Sequence, residues 1–135
     1  MNKILSGITV LSILSFVWSC KKGPGEGGNS SIHGTVNTIT YMDPFFEFPL
    51  DTFPAADEDV FIIYGDDISF SDKTQTNFEG KFEFKYLREG DYKIYVYSEA
   101  RKDSFPSGEV AVVKEVEING KRKSIDAGLF QIKDE

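Results

Sequence analysis

Apolar residues fall at every second position between Gly80 and Val96. Phe82, Phe84 and Tyr86, then Tyr92, Ile94 and Val96, are interleaved with Lys81, Glu83, Lys85, Lys93 and Tyr95. A period of two belongs to a strand with one buried face, because successive side chains of an extended chain point to opposite sides. The same alternation marks Ile32, Gly34 and Val36, and later Val60, Ile62 and Tyr64. Thr74, Thr76 and Phe78 suggest a short strand, Leu87 to Asp91 a turn, and Val110, Val112, Val116 and Ile118 a later arm. Asn119-Gly120 is a turn signal, and Ile125 to Ile132 reads as a last strand. No window carries a helical period. The expectation is an all-β chain of about seven short strands, packed as a single β-sandwich over residues 32–135.

The chain has one cysteine, Cys20, so no disulfide can staple the fold and stability must come from packing. Phe and Tyr carry the aromatic packing, because the single tryptophan, Trp18, lies near the N-terminus.

Gly80, Phe82, Phe84, Leu87, Gly90, Tyr92, Ile94 and Val96 together resemble the pattern of the carboxypeptidase regulatory-like, or transthyretin-like (prealbumin-like), sandwich families. Ile32-His33-Gly34-Thr35-Val36 is similar to the opening strand of the same families, so the resemblance spans about residues 31–98. It implies an Ig-like sandwich and names no ligand. The residues give a physical reason for the pattern. Leu87 would close the bottom of the core, and Gly90 would permit a turn at positive φ. Tyr92 would bury its ring while its hydroxyl caps a backbone group, as in a tyrosine corner.

Residues 1–19 begin with one early positive charge, Lys3, and run through a mostly apolar stretch from Ile4 to Trp18 that ends at Ser19. This is the form of a secretory signal peptide, and the stretch is shorter than the ~20 apolar residues needed to cross a bilayer. Val17-Trp18-Ser19-Cys20 resembles a bacterial lipobox. The resemblance implies cleavage before Cys20 and a lipid on Cys20 that anchors the protein in the envelope of a diderm bacterium. An ordinary cleaved signal with an incidental cysteine, or an uncut signal anchor, are the alternatives. Lys21 and Lys22 follow Cys20 in place of an aspartate that would favour inner-membrane retention, so the outer membrane is expected, with both its faces left open. Residues 20–31 contain Gly23, Pro24, Gly25, Gly27, Gly28, Asn29 and Ser30, and read as the lipidated cysteine and a flexible tether.

Fifteen basic residues stand against 22 acidic ones. Cleavage before Cys20 would remove only Lys3 among the charged groups. Such a balance argues against a nucleic-acid partner, which needs clustered cations to replace counterions along phosphates. It also disfavours electrostatic docking of the whole chain on anionic lipid.

The long connection from Thr38 to Asp59 holds Tyr41, Phe45, Phe46, Phe48 and Phe53 among Pro44, Pro49 and Pro54. Prolines argue against a regular strand here, and a loop of this length is often functional. Its rings either present a contact surface for an envelope protein or glycan, or fold back to cover an open edge or end of the sandwich. The competing reading of the whole chain is a structural spacer or assembly subunit that pairs through an exposed edge strand. Asp57, Asp59, Asp66, Asp67 and Asp72 are weak candidates for a cation. Calcium would need six to eight oxygens, and the spacing is not that of an EF-hand loop. His33 is the only histidine, the cysteine is committed elsewhere, and no phosphate-binding glycine loop occurs, so a non-catalytic module without a cofactor is expected.

Overall fold

The computed structural model describes residues 22–135; the signal segment and Cys20 lie outside the described residues. Eight strands follow in order: β1 (Glu26–Tyr41), β2 (Pro49–Pro54), β3 (Asp59–Tyr64), β4 (Asp72–Gln75), β5 (Lys81–Leu87), β6 (Gly90–Glu99), β7 (Glu109–Ile118) and β8 (Ser124–Asp134). They form a single β-sandwich of two four-stranded sheets, and no helix occurs among the described residues.

The first sheet is organised around β1. One of its edges pairs with β8 in parallel from Ser31 to Thr40. The other pairs with β5 along its first half and with β2 along its second, both antiparallel. The second sheet has the order β4-β3-β6-β7, with every pairing antiparallel.

Between the sheets lie Ile32 and Val36 from β1, Phe82 and Phe84 from β5, and Phe130 and Ile132 from β8. Val60 and Ile62 from β3, Tyr92, Ile94 and Val96 from β6, and Ile118 from β7 meet them from the other side. These are the inward positions of the alternation. Gly34 also points inward, and the Phe82 ring occupies the space that a side chain would take: a Cβ at Gly34 would sit 2.6 Å from it. Phe82 in turn packs edge-on against Phe84 and Phe130.

Four expectations change. The Thr38 to Asp59 connection contains a regular strand, β2, because Pro49 and Pro54 occupy its first and last positions on a sheet edge, where a missing N–H breaks no central ladder. The short strand expected at Thr74, Thr76 and Phe78 lies earlier, at β4; Phe78 sits in a turn closed by Gly80 N donating to Asn77 O. Tyr86 does not continue the inward series of Phe82 and Phe84. Its φ is +60°, which turns the backbone so that Leu87 enters the core and Tyr86 is left 70% exposed.

The tether is the fourth. β1 begins at Glu26, six residues before the expected boundary at Ile32, and Gly25 is buried. Arg88 holds this segment by donating from Nε to Gly23 O at 2.7 Å and from Nη1 to Glu26 O, while its amide donates to Gly25 O at 2.8 Å. Glycine suits the place because Gly28 passes so close to Leu87 O that a Cβ would collide with it. A run that looks flexible by composition is thus bound as the start of a strand.

Candidate functional site

The aromatic segment forms the β1–β2 hairpin and its tip. Asp43 organises the tip: its carboxylate accepts hydrogen bonds from the amides of Phe45 at 3.0 Å, Glu47 at 3.3 Å and Phe48 at 3.0 Å. Met42 N donates to Phe48 O at 3.0 Å and closes the loop. Short Asp side chains stabilise turns in this way by capping nearby backbone donors.

The predicted ring residues separate into three roles. Tyr41 and Phe46 pack edge to face at 5.3 Å, with the Lys133 ammonium within 6 Å of both rings. Phe45 is 54% exposed, with the Arg101 guanidinium 5.3 Å from its centroid. Phe48 and Phe53 stand exposed on and beside β2. β2 covers the second half of the β1 edge, and the outer rings face solvent.

Phe45 and Arg101 meet at a cleft of about 460 Å³ between the hairpin tip and the β6–β7 loop. That loop is internally tied: Phe105 N donates to Arg101 O, Gly108 N to Phe105 O, and Ala100 N to Gly108 O. Asp103 grips Arg101 through two hydrogen bonds, Nε to Oδ1 at 3.2 Å and Nη2 to Oδ2 at 2.6 Å. The bonds from Arg101 hold the Asp103 carboxyl below its ordinary range. Glu99, Glu109 and Glu135 complete the polar wall. The cleft thus offers an exposed ring, a guanidinium fixed in orientation and several carboxylate acceptors.

A second aromatic surface was missed in the sequence. On the outer face of the second sheet Phe61 stacks on Tyr95 at 5.0 Å and 12°, and meets Phe70 and Tyr97 edge-on. Tyr95 and Tyr97 occupy odd positions of β6, opposite the buried Tyr92, Ile94 and Val96. The signal was two aromatics on the face that alternation assigns to solvent. Glu99, next on that face, lines the cleft, so the aromatic surface leads into it.

The other candidates do not converge. Asp59 opens β3, Asp66 and Asp67 follow its far end, Asp72 opens β4, and Asp57 lies in the preceding turn at φ +56°. No group of three His, Cys, Asp or Glu residues able to hold a metal ion occurs among the described residues. His33 lies on the outer side of β1 with Nδ1 3.3 Å from Ser124 Oγ. The fold-motif residues do converge: Leu87 is buried, Gly90 has φ +144°, and the Tyr92 hydroxyl donates to Arg88 O at 2.7 Å.

No protein-family model and no curated protein matches the chain. Among solved structures it is similar to a Pseudomonas aeruginosa protein described as a "putative carbohydrate binding protein". The identity is 12%, the TM-score 0.44, and the match covers 82% of this chain and 91% of that one. The sandwich assignment rests on the strand ladders of this chain.

Proposed function

We propose that this is a non-catalytic recognition lipoprotein of the bacterial envelope, anchored through Cys20, that binds glycan at the cleft between the hairpin tip and the β6–β7 loop. The observation that carries the reading is the exposed Phe45 ring beside Arg101, which Asp103 holds in place. A sugar has an apolar ring face that stacks on an aromatic side chain, and hydroxyls that accept hydrogen bonds from a guanidinium and donate them to carboxylates. The side chains around Phe45 supply both. Tyr95 and Tyr97 extend the aromatic surface away from the cleft, which suits a chain of several sugars better than a single one. The tyrosine-corner use of Tyr92, with Gly80, Phe82, Phe84, Leu87 and Gly90, supports placing the sandwich among the transthyretin-like families.

The test is binding of soluble envelope and extracellular polysaccharides to the chain from Cys20 onward, beside Phe45→Ala and Arg101→Ala. Each substitution is expected to weaken binding at least about tenfold, as for residues at the centre of a contact. Equal binding by all three proteins would move recognition elsewhere, and capture of a protein with no glycan bound would favour the protein-contact form of the reading.

β7 and β8 each carry one ladder among the described strands, to β6 and to β1, and β7 has ten residues along which a further strand could add. Lys114 works against such edge pairing. This residue pairs with the inward-facing Ile94 and lies 5.0 Å from the Phe130 ring centroid, so a charge points inward at the middle of the edge. Inward-pointing charge on an edge strand opposes addition of another strand.

A further inference from the structure

We infer that the end of the sandwich where β1 begins is a docking face for anionic lipid headgroups, and that the Arg88 and Tyr92 contacts to residues 23–26 set the protein upright on the membrane. The inference rests on the proposed anchoring at Cys20.

Gly23 is three residues beyond Cys20, and an extended chain covers at most about 3.6 Å per residue, so a lipid on Cys20 would lie within about 11 Å of the point where Arg88 holds Gly23 O. A free tether from Cys20 to Ser31 would reach several times farther. The bound segment therefore brings this end of the sandwich to the headgroups.

The same end carries Lys121, Arg122 and Lys123, all exposed, in the β7–β8 turn. Lys121 and Gly120 border one cleft of about 950 Å³ with Lys22, Gly23 and Pro24. β1 fixes the turn in place. Arg122 N donates to Asn29 Oδ1 at 2.9 Å, Lys123 N to Ser30 Oγ at 3.0 Å, and Ser31 N to Lys123 O at 2.8 Å. Ion pairs among the described residues join Lys81 to Glu79, Lys85 to Glu83 and Arg101 to Asp103, and none involves these three cations. Glu89, Asp91 and Glu117 border the cleft as well, so the basic character belongs to the turn. Three cations within a Debye length of about 8 Å of the surface attract anionic headgroups even on an acidic protein. Net charge describes the whole chain, whereas the fold gathers these cations beside the anchor.

The far end of β1 reaches the hairpin tip. Sixteen extended residues at ~3.3 Å each place Tyr41 up to about 50 Å from Glu26. Docking at the base would hold the aromatic cleft away from the membrane.

The chain from Cys20 onward contains every described residue and no tryptophan, so single tryptophans report position. Cys20 is coupled through a maleimide lipid to phosphatidylcholine vesicles with or without phosphatidylglycerol, doped with a nitroxide-headgroup lipid. Tryptophan placed by Asn119→Trp or by Leu50→Trp is then compared for quenching. On phosphatidylglycerol vesicles the Asn119→Trp protein is expected to be quenched about threefold more than the Leu50→Trp protein. The difference should shrink markedly when Lys121→Glu, Arg122→Glu and Lys123→Glu are combined, substitutions on an exposed turn that leave the core and the Arg88 contacts intact. Equal quenching at the two positions, or a difference untouched by the charge reversal, would overturn the inference. Mass spectrometry of acyl chains on native Cys20 decides the anchoring separately, since the chemical coupling replaces it.

Discussion

The Tyr92 hydroxyl lies 2.9 Å from the amide nitrogen of Gly25, 67 residues away in sequence, and accepts a hydrogen bond from it inside the sandwich. The same oxygen donates to Arg88 O at 2.7 Å, so one side chain ties the start of β1 to the β5–β6 turn. Tyr92→Phe leaves a buried amide unpaired and is expected to destabilise the fold by about 1–3 kcal/mol. Chemical denaturation measures the loss, and faster amide exchange at Gly25 and Arg88 would locate it.

Burial pushes the Tyr92 hydroxyl above its ordinary pKa of 10.0, and burial, then the neighbouring Glu26, pushes Tyr64 up to about 12. A folded pKa above the unfolded one means that the native state keeps protons the unfolded state releases. The contribution is complete below pH 10 and is lost as pH rises toward about 12. Stability measured across this range should fall, and the fall should be smaller in Tyr64→Phe.

Glu58 is raised above 4.5 mainly by burial, then by Asp59, Asp134 and Glu109. Its stabilising contribution is present while the carboxyl is protonated and is lost as pH rises through the folded pKa. Glu58→Gln should therefore raise the melting temperature at pH 7 relative to the parent, and the advantage should shrink toward pH 4. An equal effect at both pH values would contradict this assignment.

A methyl group at Gly34 would collide with the Phe82 ring and stand 3.0 Å from Gly128 O. Gly34→Ala should cost about 1–3 kcal/mol through overpacking. Leu87→Ala removes a fully buried side chain and should cost about 2–5 kcal/mol. Combining Gly34→Ala with Phe82→Leu, which makes room, should recover part of the first loss.

Asp43→Ala removes the acceptor shared by the amides of Phe45, Glu47 and Phe48. These donors are exposed to water, so global stability should change by less than about 1 kcal/mol. The proposed glycan binding should weaken because the Phe45 ring is no longer held in place. Unchanged binding with an altered hairpin in exchange measurements would separate recognition from the tip.

Much of the core was legible in the sequence. Ile32, Val36, Val60, Ile62, Phe82, Phe84, Tyr92, Ile94 and Val96 sit where alternation placed them, because the side to which a strand residue points is a local property of the extended chain. Gly90 was legible from the turn it permits at positive φ, and the hydroxyl role of Tyr92 from its resemblance to a tyrosine corner. Tyr86 escaped because a single positive φ shifts the alternation by one residue, and β2 escaped because an edge tolerates proline at its ends. Tertiary structure alone decided which strands became neighbours. The parallel pairing of β1 with β8 joins segments separated by most of the chain, and local periodicity holds no information about such a partner. Partnership likewise turned Gly23 to Gly28 from a composition that promises freedom into a held strand start, since Arg88 and Tyr92 satisfy its backbone from more than sixty residues away. The site follows the same division. The sequence by itself determined that aromatic rings collect between Tyr41 and Phe53, while the fold decided that Phe45 faces Arg101 and that Phe61, Tyr95 and Tyr97 share one outer surface.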